Sequence, residues 1–375
     1  MKVLHIYSGN LFGGVETLLI TLAKQRHLCP QMEPYFGLCF EGRLADELRA
    51  TGVDVKLLGQ VKTSRPWTVL RARQELRRYL KQENFDVVIC HACWCQAIFG
   101  AVVKAQSKPL VFWCHDVLNG KHWLEKWAKL VLPDLVIANS NYTLTSVPIV
   151  YPKIHSTIFY YPVSPREIIN CESVRRKLRV EQDTKDDTVV IIQTSRLERW
   201  KGQTLLIDAL AQLQDLTNWV CWLAGGAQRP HELEYLKELH AQAQALGISE
   251  RIRFLGQRWD VPELLAAVDI HCQPNTGGEP FGIAFIEALY SGLPVVTTAI
   301  GGGAEIVNDA CGRLVEPNNP GALSQALREL ICNPEQRAHL GSSSFARASE
   351  LCDPVQQMHQ LHQLLNQLIQ LEASS

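Results

Sequence analysis

The residues with the most specific chemistry form one run, Gly278 to Leu289, in which Glu279 and Glu287 stand eight positions apart. On one helical stretch, two carboxylates at this spacing lie about 12 Å apart along the axis. That separation suits the two ends of an elongated ligand and is too long for a shared proton. Gly282 is expected to open the helix, so that its amide and that of Ile283 are free to bind an anion such as a diphosphate.

A second run, Thr194 to Gly202, carries Arg196 and Lys201 between an apolar segment and a helical pattern. Arginine offers a planar fork of donors and lysine a compact positive charge, and both suit a phosphate ligand. The pattern therefore predicts a diphosphate site. The alternative is that these are solvated loop charges of little energetic consequence.

Two shorter motifs lie in the first half of the chain. Gly13 and Gly14 predict a tight turn that lets backbone approach a phosphate closely. The sequence has no G-x-G-x-x-G run and no Walker lysine beside them, which argues against dinucleotide and P-loop sites. His115 and Asp116 directly follow an apolar segment, where a strand end would face a cleft.

The elements that must position these residues alternate between strands and helices. The predicted strands of the first half are short and apolar on both faces, which is typical of a parallel sheet covered by helices on both sides. They are Val3–Tyr7, Tyr35–Cys39, Val53–Leu58, Val87–Cys90, Leu110–Trp113 and Leu135–Ala138. The predicted helices include Val15–Gln25, Arg43–Ala50 and Trp67–Lys81.

A second alternating series follows a looser stretch, Pro162–Arg179, which we interpret as the connection between two domains. Its predicted strands are Thr188–Gln193, Val220–Ala224, Ile252–Leu255, Ile270–Gln273, Pro294–Thr298 and Leu314–Val315. Its predicted helices are Thr204–Leu213, Glu232–Leu246, Pro262–Ala267, Ile283–Ser291, Ala322–Cys332 and Val355–Leu371. The 375 residues are thus expected to form an α/β domain over 1–165, another over 166–354, and a final helix, 355–375, that packs back on the first domain.

The motifs of the second half resemble those of the retaining glycosyltransferases of family 4. The carboxylate pair matches the E-x7-E motif of that family, and Ser291–Val296 and Gly301–Val307 match the sequence that follows this motif in the family. The resemblance covers most of the chain and is densest from Ile191 to Val315. It implies the GT-B architecture, with two Rossmann-like doubly wound domains facing each other across a cleft.

The resemblance also implies roles for individual residues. Glu287 would accept hydrogen bonds from the donor ribose, and Glu279 would contact the transferred sugar near the reacting centre. Arg196 and Lys201 would grip the donor diphosphate, and His115 would lie beside the donor sugar and the acceptor. The remaining implied substrate-binding residues are Gly13, Gly14, Asp116, Gly225, Gln257, Arg258, Phe281, Gly282 and Ile283.

The implied reaction transfers a sugar from a nucleotide-sugar donor to a glycan, lipid or small-molecule acceptor, with retention of anomeric configuration. No cofactor and no metal are expected. Two alternatives stay open: a nucleotide-sugar epimerase on the same architecture, and a catalytically silent nucleotide-sugar-binding subunit. A hydrolysis and transfer assay would distinguish them.

Charge and composition bear on partners. Residues 1–165 carry 19 Lys+Arg and 12 Asp+Glu, whereas the remainder carries 18 and 26. Lys62–Lys81 predicts a basic amphipathic helix that either lies on an anionic membrane or simply covers the sheet. With no apolar run long enough to span a bilayer and no secretory signal, we expect a cytoplasmic protein, in possible peripheral contact with the inner face of the membrane and without a nucleic-acid partner. Cys90–Cys95 contains four potential zinc ligands, but the lack of a second ligand cluster favours buried thiols.

Overall fold

The computed structural model describes residues 1–9, 13–227 and 229–374. It divides the chain into two compact units. Unit 1 comprises Met1–Ser164 and Cys352–Ser375, and unit 2 comprises Pro165–Leu351. The division after Ser164 falls one residue before the boundary expected from the sequence.

Unit 1 is built on a seven-stranded parallel sheet in the order β3-β2-β1-β4-β5-β6-β7. Its strands, β1 to β7, are Lys2–Tyr7, Glu33–Leu38, Val55–Leu57, Val87–His91, Leu110–Cys114, Leu135–Ala138 and Ser156–Ile158. The strand order reverses between β1 and β4, and in such sheets ligands bind at the carboxyl ends of the strands near the reversal. Every residue of β4 and β5 is buried, as expected for strands covered on both faces.

Helices of unit 1 cover this sheet. The first seven, α1 to α7, are Gly14–Lys24, Arg43–Ala50, Pro66–Gln82, Ala92–Lys104, Trp123–Ala128, Asn141–Leu144 and Val147–Val150. The sequence did not predict α4. This helix is buried on most of its circumference, so it lacks the polar face that gives an amphipathic helix its periodic signal.

Unit 2 repeats the plan with a six-stranded parallel sheet in the order β10-β9-β8-β11-β12-β13. Its strands, β8 to β13, are Val189–Thr194, Trp219–Ala224, Ile252–Gly256, Ile270–Gln273, Val295–Thr298 and Gly312–Val315. Its helices, α8 to α15, are Cys171–Glu181, Gln203–Ala211, Pro230–Ala245, Val261–Ala267, Ile283–Tyr290, Gly303–Ile306, Pro320–Cys332 and Pro334–Cys352. The order reverses between β8 and β11, so the carboxyl ends of these strands are the expected place for a ligand.

The open connection predicted over Pro162–Arg179 is wrong in its second half, because α8 begins at Cys171. This helix is held by a charged residue instead of an apolar stripe. Arg179 is fully buried, donates to the carbonyl oxygens of Ala267 and Thr188, and pairs with Asp269 at 2.7 Å. A helix this polar, with only Leu178 and Arg179 buried, resembles a charged connection in the sequence.

The last helix, α16 (Pro354–Ser374), belongs to unit 1. Met358, Leu361, Leu365 and Leu368 are buried at helical spacing, and α16 contacts the short 3-10 turn at Arg26–Leu28. Unit 1 is therefore assembled from both ends of the chain. None of the described helices is both long and apolar enough to cross a membrane.

Candidate active site

A loop at the carboxyl end of β8 carries the predicted cations. Two buried amides hold it: Gln193 Nε2 donates to Ser195 Oγ and the Lys201 carbonyl, and Gln203 Nε2 donates to Ser195 Oγ and the Arg196 carbonyl. These bonds fix the backbone on which Arg196 and Lys201 stand. The Arg196 side chain itself is half exposed and lies 3.2 Å from Glu198.

Lys201 and Glu279 form an ion pair in which both side chains are largely buried. The amides of Gln273 and Asn275, at the end of β11, also donate to Glu279 Oε2, at 3.2 and 3.3 Å. The Lys201 ammonium further lies 4.1 Å from the centre of the Trp200 ring. Two residues predicted from separate motifs are thus brought into direct contact, an arrangement that neither motif indicates.

The Glu279 loop precedes α12, which begins only at Ile283. The expectation that both carboxylates lie on one helical stretch is therefore wrong, because Gly282, at a φ of 108°, separates the loop from the helix. The Gly302 amide donates to the Glu279 carbonyl, and a Cβ on Gly301 would lie 2.5 Å from the Glu279 backbone. Close packing of glycine backbone holds Glu279 in its place.

A cavity of about 210 Å³ lies at the carboxyl ends of β8, β9 and β10. It brings together five of the residues predicted to act on the donor: Arg196, Gly225, Gln257, Arg258 and Glu287. The rest of its lining is Thr194, Ser195, Ala224, Gly226 and Val261. A Cβ on Gly225 would lie 2.0 Å from the Ser195 carbonyl oxygen, so the cavity wall needs glycine there.

Three further predicted residues flank the start of α12. Phe281 is buried, whereas Gly282 and Ile283 supply the first backbone amides of the helix. The N-cap residue Gly282 has no side chain to cap α12, so the first amides of the helix are suited to an anionic ligand.

Glu287, on α12, lines the 210 Å³ cavity and is only partly accessible. Burial raises the pKa of its carboxyl to about 7, and the positive charge of Arg166 opposes that rise. Near neutral pH this side chain is therefore able both to donate and to accept a hydrogen bond. The sequence did not indicate a role for Arg166.

The predicted residues of unit 1 lie at the carboxyl edge of its sheet. His115 and Asp116 line a cavity of about 240 Å³, and His115 is 4% exposed with both ring nitrogens within hydrogen-bond distance of His91 and Tyr161. Asp116 is exposed. In the described conformation, both ring nitrogens of His115 are therefore occupied by protein groups.

Gly13 and Gly14 lie at the start of α1, where Gly13 is the N-cap residue. Beside them the structure adds Glu16, a buried carboxylate that accepts a hydrogen bond from the Tyr7 hydroxyl at 2.9 Å. The sequence showed Glu16 only as the residue after Val15, and nothing in its spacing indicated burial.

The cysteine-rich segment Cys90–Cys95 spans the junction of β4 and α4. Burial raises the pKa values of Cys90, Cys93 and Cys95, which disfavours the thiolate form that binds metal. Over residues 1–9, 13–227 and 229–374, no three His, Cys, Asp or Glu side chains come together in a way that could hold a metal ion.

We expect the protein to lose stability as the pH falls from 7.5 to 5.0. Burial lowers the pKa values of His5, His115 and His271 to about 3 and lowers that of His91 as well. Below about pH 6.5 the unfolded state therefore binds protons that the native state does not. Each histidine then lowers the free energy of unfolding by about 1.4 kcal/mol per pH unit.

The raised pKa of Glu287 acts in the opposite direction between about pH 7 and 4.5, but it is one group against four. Melting temperatures measured by calorimetry at pH 7.5 and 5.0 test this balance. A melting temperature at pH 5.0 equal to or above that at pH 7.5 would contradict the burial of these rings as neutral groups.

Comparison with known proteins places this geometry in context. Residues 174–347 match the family model for glycosyl transferases group 1, and residues 12–152 match the model for glycosyltransferase family 4. The chain is 25% identical over 323 residues to the alpha-1,3/1,6-mannosyltransferase ALG2 of Homo sapiens, an alignment that spans 78% of this chain and 75% of that protein.

A shorter sequence match and a structural match also point to glycosyltransferases. Over 136 residues, 36% of this chain and 34% of the relative, the chain is 35% identical to a phosphatidyl-myo-inositol mannosyltransferase of Mycobacterium leprae. The crystal structure of Anabaena Alr3699/HepE in complex with UDP and glucose superposes with a TM-score of 0.84 at 28% identity, over 98% of this chain and 99% of that one. The expected two-unit parallel α/β architecture of GT-B type is confirmed.

Proposed function

Because this chain belongs to the family 4 glycosyltransferases, we propose that it moves a sugar from a nucleotide-sugar donor to a glycan or lipid-linked acceptor. In this proposal the anomeric configuration is retained and no dedicated metal takes part. The enzyme class follows from the family. The donor, the stereochemistry, the absence of a metal and the acceptor are the proposed elements.

The observation that carries the proposal is the cavity of about 210 Å³ in unit 2. Glu287 offers a carboxyl group suited to ribose hydroxyls, and Gln257 and Arg258 offer backbone and side-chain polar groups suited to a base. Gly225 allows the close approach to the Ser195 carbonyl that forms this part of the cavity wall. A small cavity with a few convergent polar groups is what a nucleoside requires.

The neighbouring cations suit the diphosphate. A lysine ammonium has three N–H donors, and the Glu279 carboxylate takes one of them, so Lys201 keeps donors for phosphate oxygens while its position is fixed. Arg196 and the first amides of α12 add positive potential. These groups are arranged before the reaction, so they stabilise the negative charge that grows on the leaving diphosphate without reorganisation.

Retention is proposed because the resemblance to the family 4 enzymes implies it, and the site residues are compatible with it. Glycosidases of the retaining class need a carboxylate nucleophile and an acid about 5 Å apart. Here Glu279 is engaged by Lys201, and Glu287 lies beyond Gly282 on α12. Attack from the face that the diphosphate leaves, with a phosphate oxygen taking the acceptor proton, needs neither group as a nucleophile.

The experiment is a thermal-shift panel of nucleotide sugars, since a ligand that binds only the folded state raises the melting temperature. The donor found is then incubated with candidate acceptors in excess EDTA, and the product anomer is read by NMR. We expect a transferred sugar of unchanged configuration. An inverted anomer, loss of transfer with EDTA, or an epimerised donor without acceptor would each overturn a part of the proposal.

Replacing Glu287 with alanine is expected to weaken nucleotide binding about 10- to 100-fold, because a hydrogen bond to a charged or buried group contributes about 1.5–3 kcal/mol. Calorimetric titration with UDP and GDP measures the change. Glu335→Ala, on the surface of α15, is the control and should bind as the wild type does. An unchanged affinity in Glu287→Ala would remove this residue from the ribose.

For the acceptor side we propose that unit 1 lies on an anionic membrane surface. Trp67 and Leu70 on α3 and Trp123 on α5 are exposed. Both helices pack on α4, and Arg73 of α3 lies over the Trp127 ring of α5. Exposed basic residues stand near these apolar side chains in the sequence, namely Lys62, Arg65, Arg71, Lys121, Lys126 and Lys129. Exposed tryptophan beside lysine and arginine complements an anionic lipid surface.

Co-sedimentation tests this surface, using vesicles of phosphatidylcholine with and without about one third phosphatidylserine at low salt. We expect binding only to the anionic vesicles, reduced in Trp67→Ala and unchanged in Phe345→Ala, an exposed aromatic of unit 2. Equal sedimentation of both variants with the wild type would place the contact elsewhere, and no binding at all would exclude the membrane.

A further inference from the structure

Three buried histidines and a tyrosine form a continuous row in unit 1. His5 Nδ1 lies 3.0 Å from His91 Nε2, and His91 Nδ1 lies 2.9 Å from His115 Nε2. The row continues from His115 Nδ1 to the Tyr161 hydroxyl at 2.5 Å. All four side chains are less than 5% exposed, so these contacts are made away from water.

The row runs diagonally across the sheet. His5 lies in β1, His91 ends β4, His115 follows β5 and Tyr161 follows β7. Because His5 is paired with Ile89 and His91 with Trp113, each step to the next histidine moves two residues toward the carboxyl ends of the strands. The ring planes differ by 27° between His5 and His91 and by 5° between His91 and His115. Asn139, after β6, donates to both the Tyr161 hydroxyl and the His115 carbonyl at 3.2 Å, which ties the row to the backbone at the cavity edge.

Neighbouring aromatic rings hold the three imidazole rings in these orientations. Phe36 stacks on His5 at 5.4 Å, and Trp113 stacks on both His91 and His115. The rings therefore have little freedom to rotate out of the row.

Proton counting restricts the row to two arrangements. A neutral imidazole has one N–H and one lone pair, so each ring that donates through Nδ1 must accept at Nε2. Either all three histidines carry the proton on Nδ1, or all three carry it on Nε2 with the Tyr161 hydroxyl donating to His115. Any mixture would set two N–H groups or two lone pairs against each other in a buried place, which is costly.

We propose that His5 and His91 are positioning residues that fix the tautomer and ring orientation of His115, and with them the cavity edge at His115 and Asp116, for the sugar transfer. This role rests on the proposed function, since the cavity edge matters only if an acceptor or sugar binds there. His5 acts on His115 through the His91 ring, so its role requires no contact with the substrate.

The first test needs no substrate. Protein labelled with 15N-histidine is studied by long-range proton–nitrogen NMR between pH 6 and 8, and the three rings are identified through their single variants. We expect three neutral rings with the same tautomer. A mixed set of tautomers, or an imidazolium among the three, would overturn the row.

The second test is kinetic and uses His5→Phe, His91→Phe and Tyr161→Phe, which keep an aromatic ring. We expect kcat to fall about 10- to 100-fold with the donor KM nearly unchanged, because small misplacements at a reacting centre are costly. The control is Phe85→Leu, which removes buried packing against Tyr35 and Tyr79 before the start of β4, whereas His91 ends that strand. It should lower the melting temperature and leave kcat within about twofold of wild type.

The double variant His5→Phe/Tyr161→Phe separates a row from four independent contacts. Residues that act as one unit should give a kcat close to that of the more damaged single variant, whereas independent residues give the product of the two losses. A multiplicative loss, or a normal kcat in His5→Phe, would overturn the positioning role. A wild type that transfers no sugar would overturn the proposed function and this role with it, while a uniform tautomer would still establish the row.

Discussion

Replacing Lys201 with alanine is expected to lower kcat about 100- to 1000-fold, the loss typical of removing one preorganised donor from a developing negative charge. Two effects act together here. The variant removes the ammonium proposed to bind the diphosphate, and it leaves Glu279 as a largely buried carboxylate that accepts hydrogen bonds from the Gln273 and Asn275 amides. Steady-state kinetics with the donor from the thermal-shift panel measures the change.

The matched control is Arg199→Ala. Arg199 lies two residues away, but its side chain is two-thirds exposed and pairs with Glu238 on the surface of unit 2. Exposed pairs contribute little, so kcat should stay within about twofold of wild type. Equal losses in the two variants would mean that general positive charge, and not the ion pair with Glu279, supports catalysis.

Replacing Gly301 with alanine is expected to lower kcat about 100-fold and to lower the melting temperature as well. Gly301 has a φ of +66°, which alanine adopts with difficulty, and its new Cβ would lie 2.5 Å from the Glu279 backbone. The Glu279 loop must therefore move, and a displacement of about 1 Å near reacting groups is enough for a loss of this size.

Gly247→Ala separates the two causes. Gly247 has nearly the same backbone conformation, with a φ of +70°, but apart from its chain neighbours no described residue has an atom within 4 Å of the added Cβ. Gly247→Ala should lower the free energy of unfolding by about 1–2 kcal/mol, the cost of a left-handed alanine, and leave the kinetics unchanged. If Gly301→Ala kept full activity, the close approach would have no part in placing Glu279.

At the ends of β8 and β11, the strands could be predicted from the sequence but the contact between their loops could not. Short β-branched runs predicted most strands within one or two residues, because strands covered on both faces are uniformly apolar. The Glu279–Lys201 pair was not predicted, since 78 residues separate its members and only the sheet order brings β8 and β11 side by side.

Elements that the sequence did not reveal share a weak hydrophobic pattern. α4 is apolar almost all round, α8 is anchored by the buried Arg179, and β7 is a partly buried strand of three residues at the sheet edge. Periodicity measures the contrast between two faces, which α4 and β7 lack. α8 is instead so polar, with only Leu178 and Arg179 buried, that it resembles a charged connection.

The histidine row is an arrangement of side chains that no sequence pattern indicates. His5, His91 and His115 are ordinary single residues in the sequence, and the reason for each becomes visible only when β1, β4 and β5 lie in register. His115 was predicted as a site residue from its place after a strand and from the family motif, and His91 was considered only among the four potential zinc ligands of Cys90–Cys95. Neither prediction came from a relation among the rings.

The two-segment make-up of unit 1 bears on the order of events during synthesis. Unit 2 is continuous, so all of its residues are translated before α16. Unit 1, although its strands are made first, needs Met358 and Leu361 of α16 to close its core. Domains generally mature from the N-terminus, but here the core of the first unit cannot close before the second unit has been translated. A released chain that ends before Cys352 should contain every residue of unit 2 and lack part of the unit 1 core.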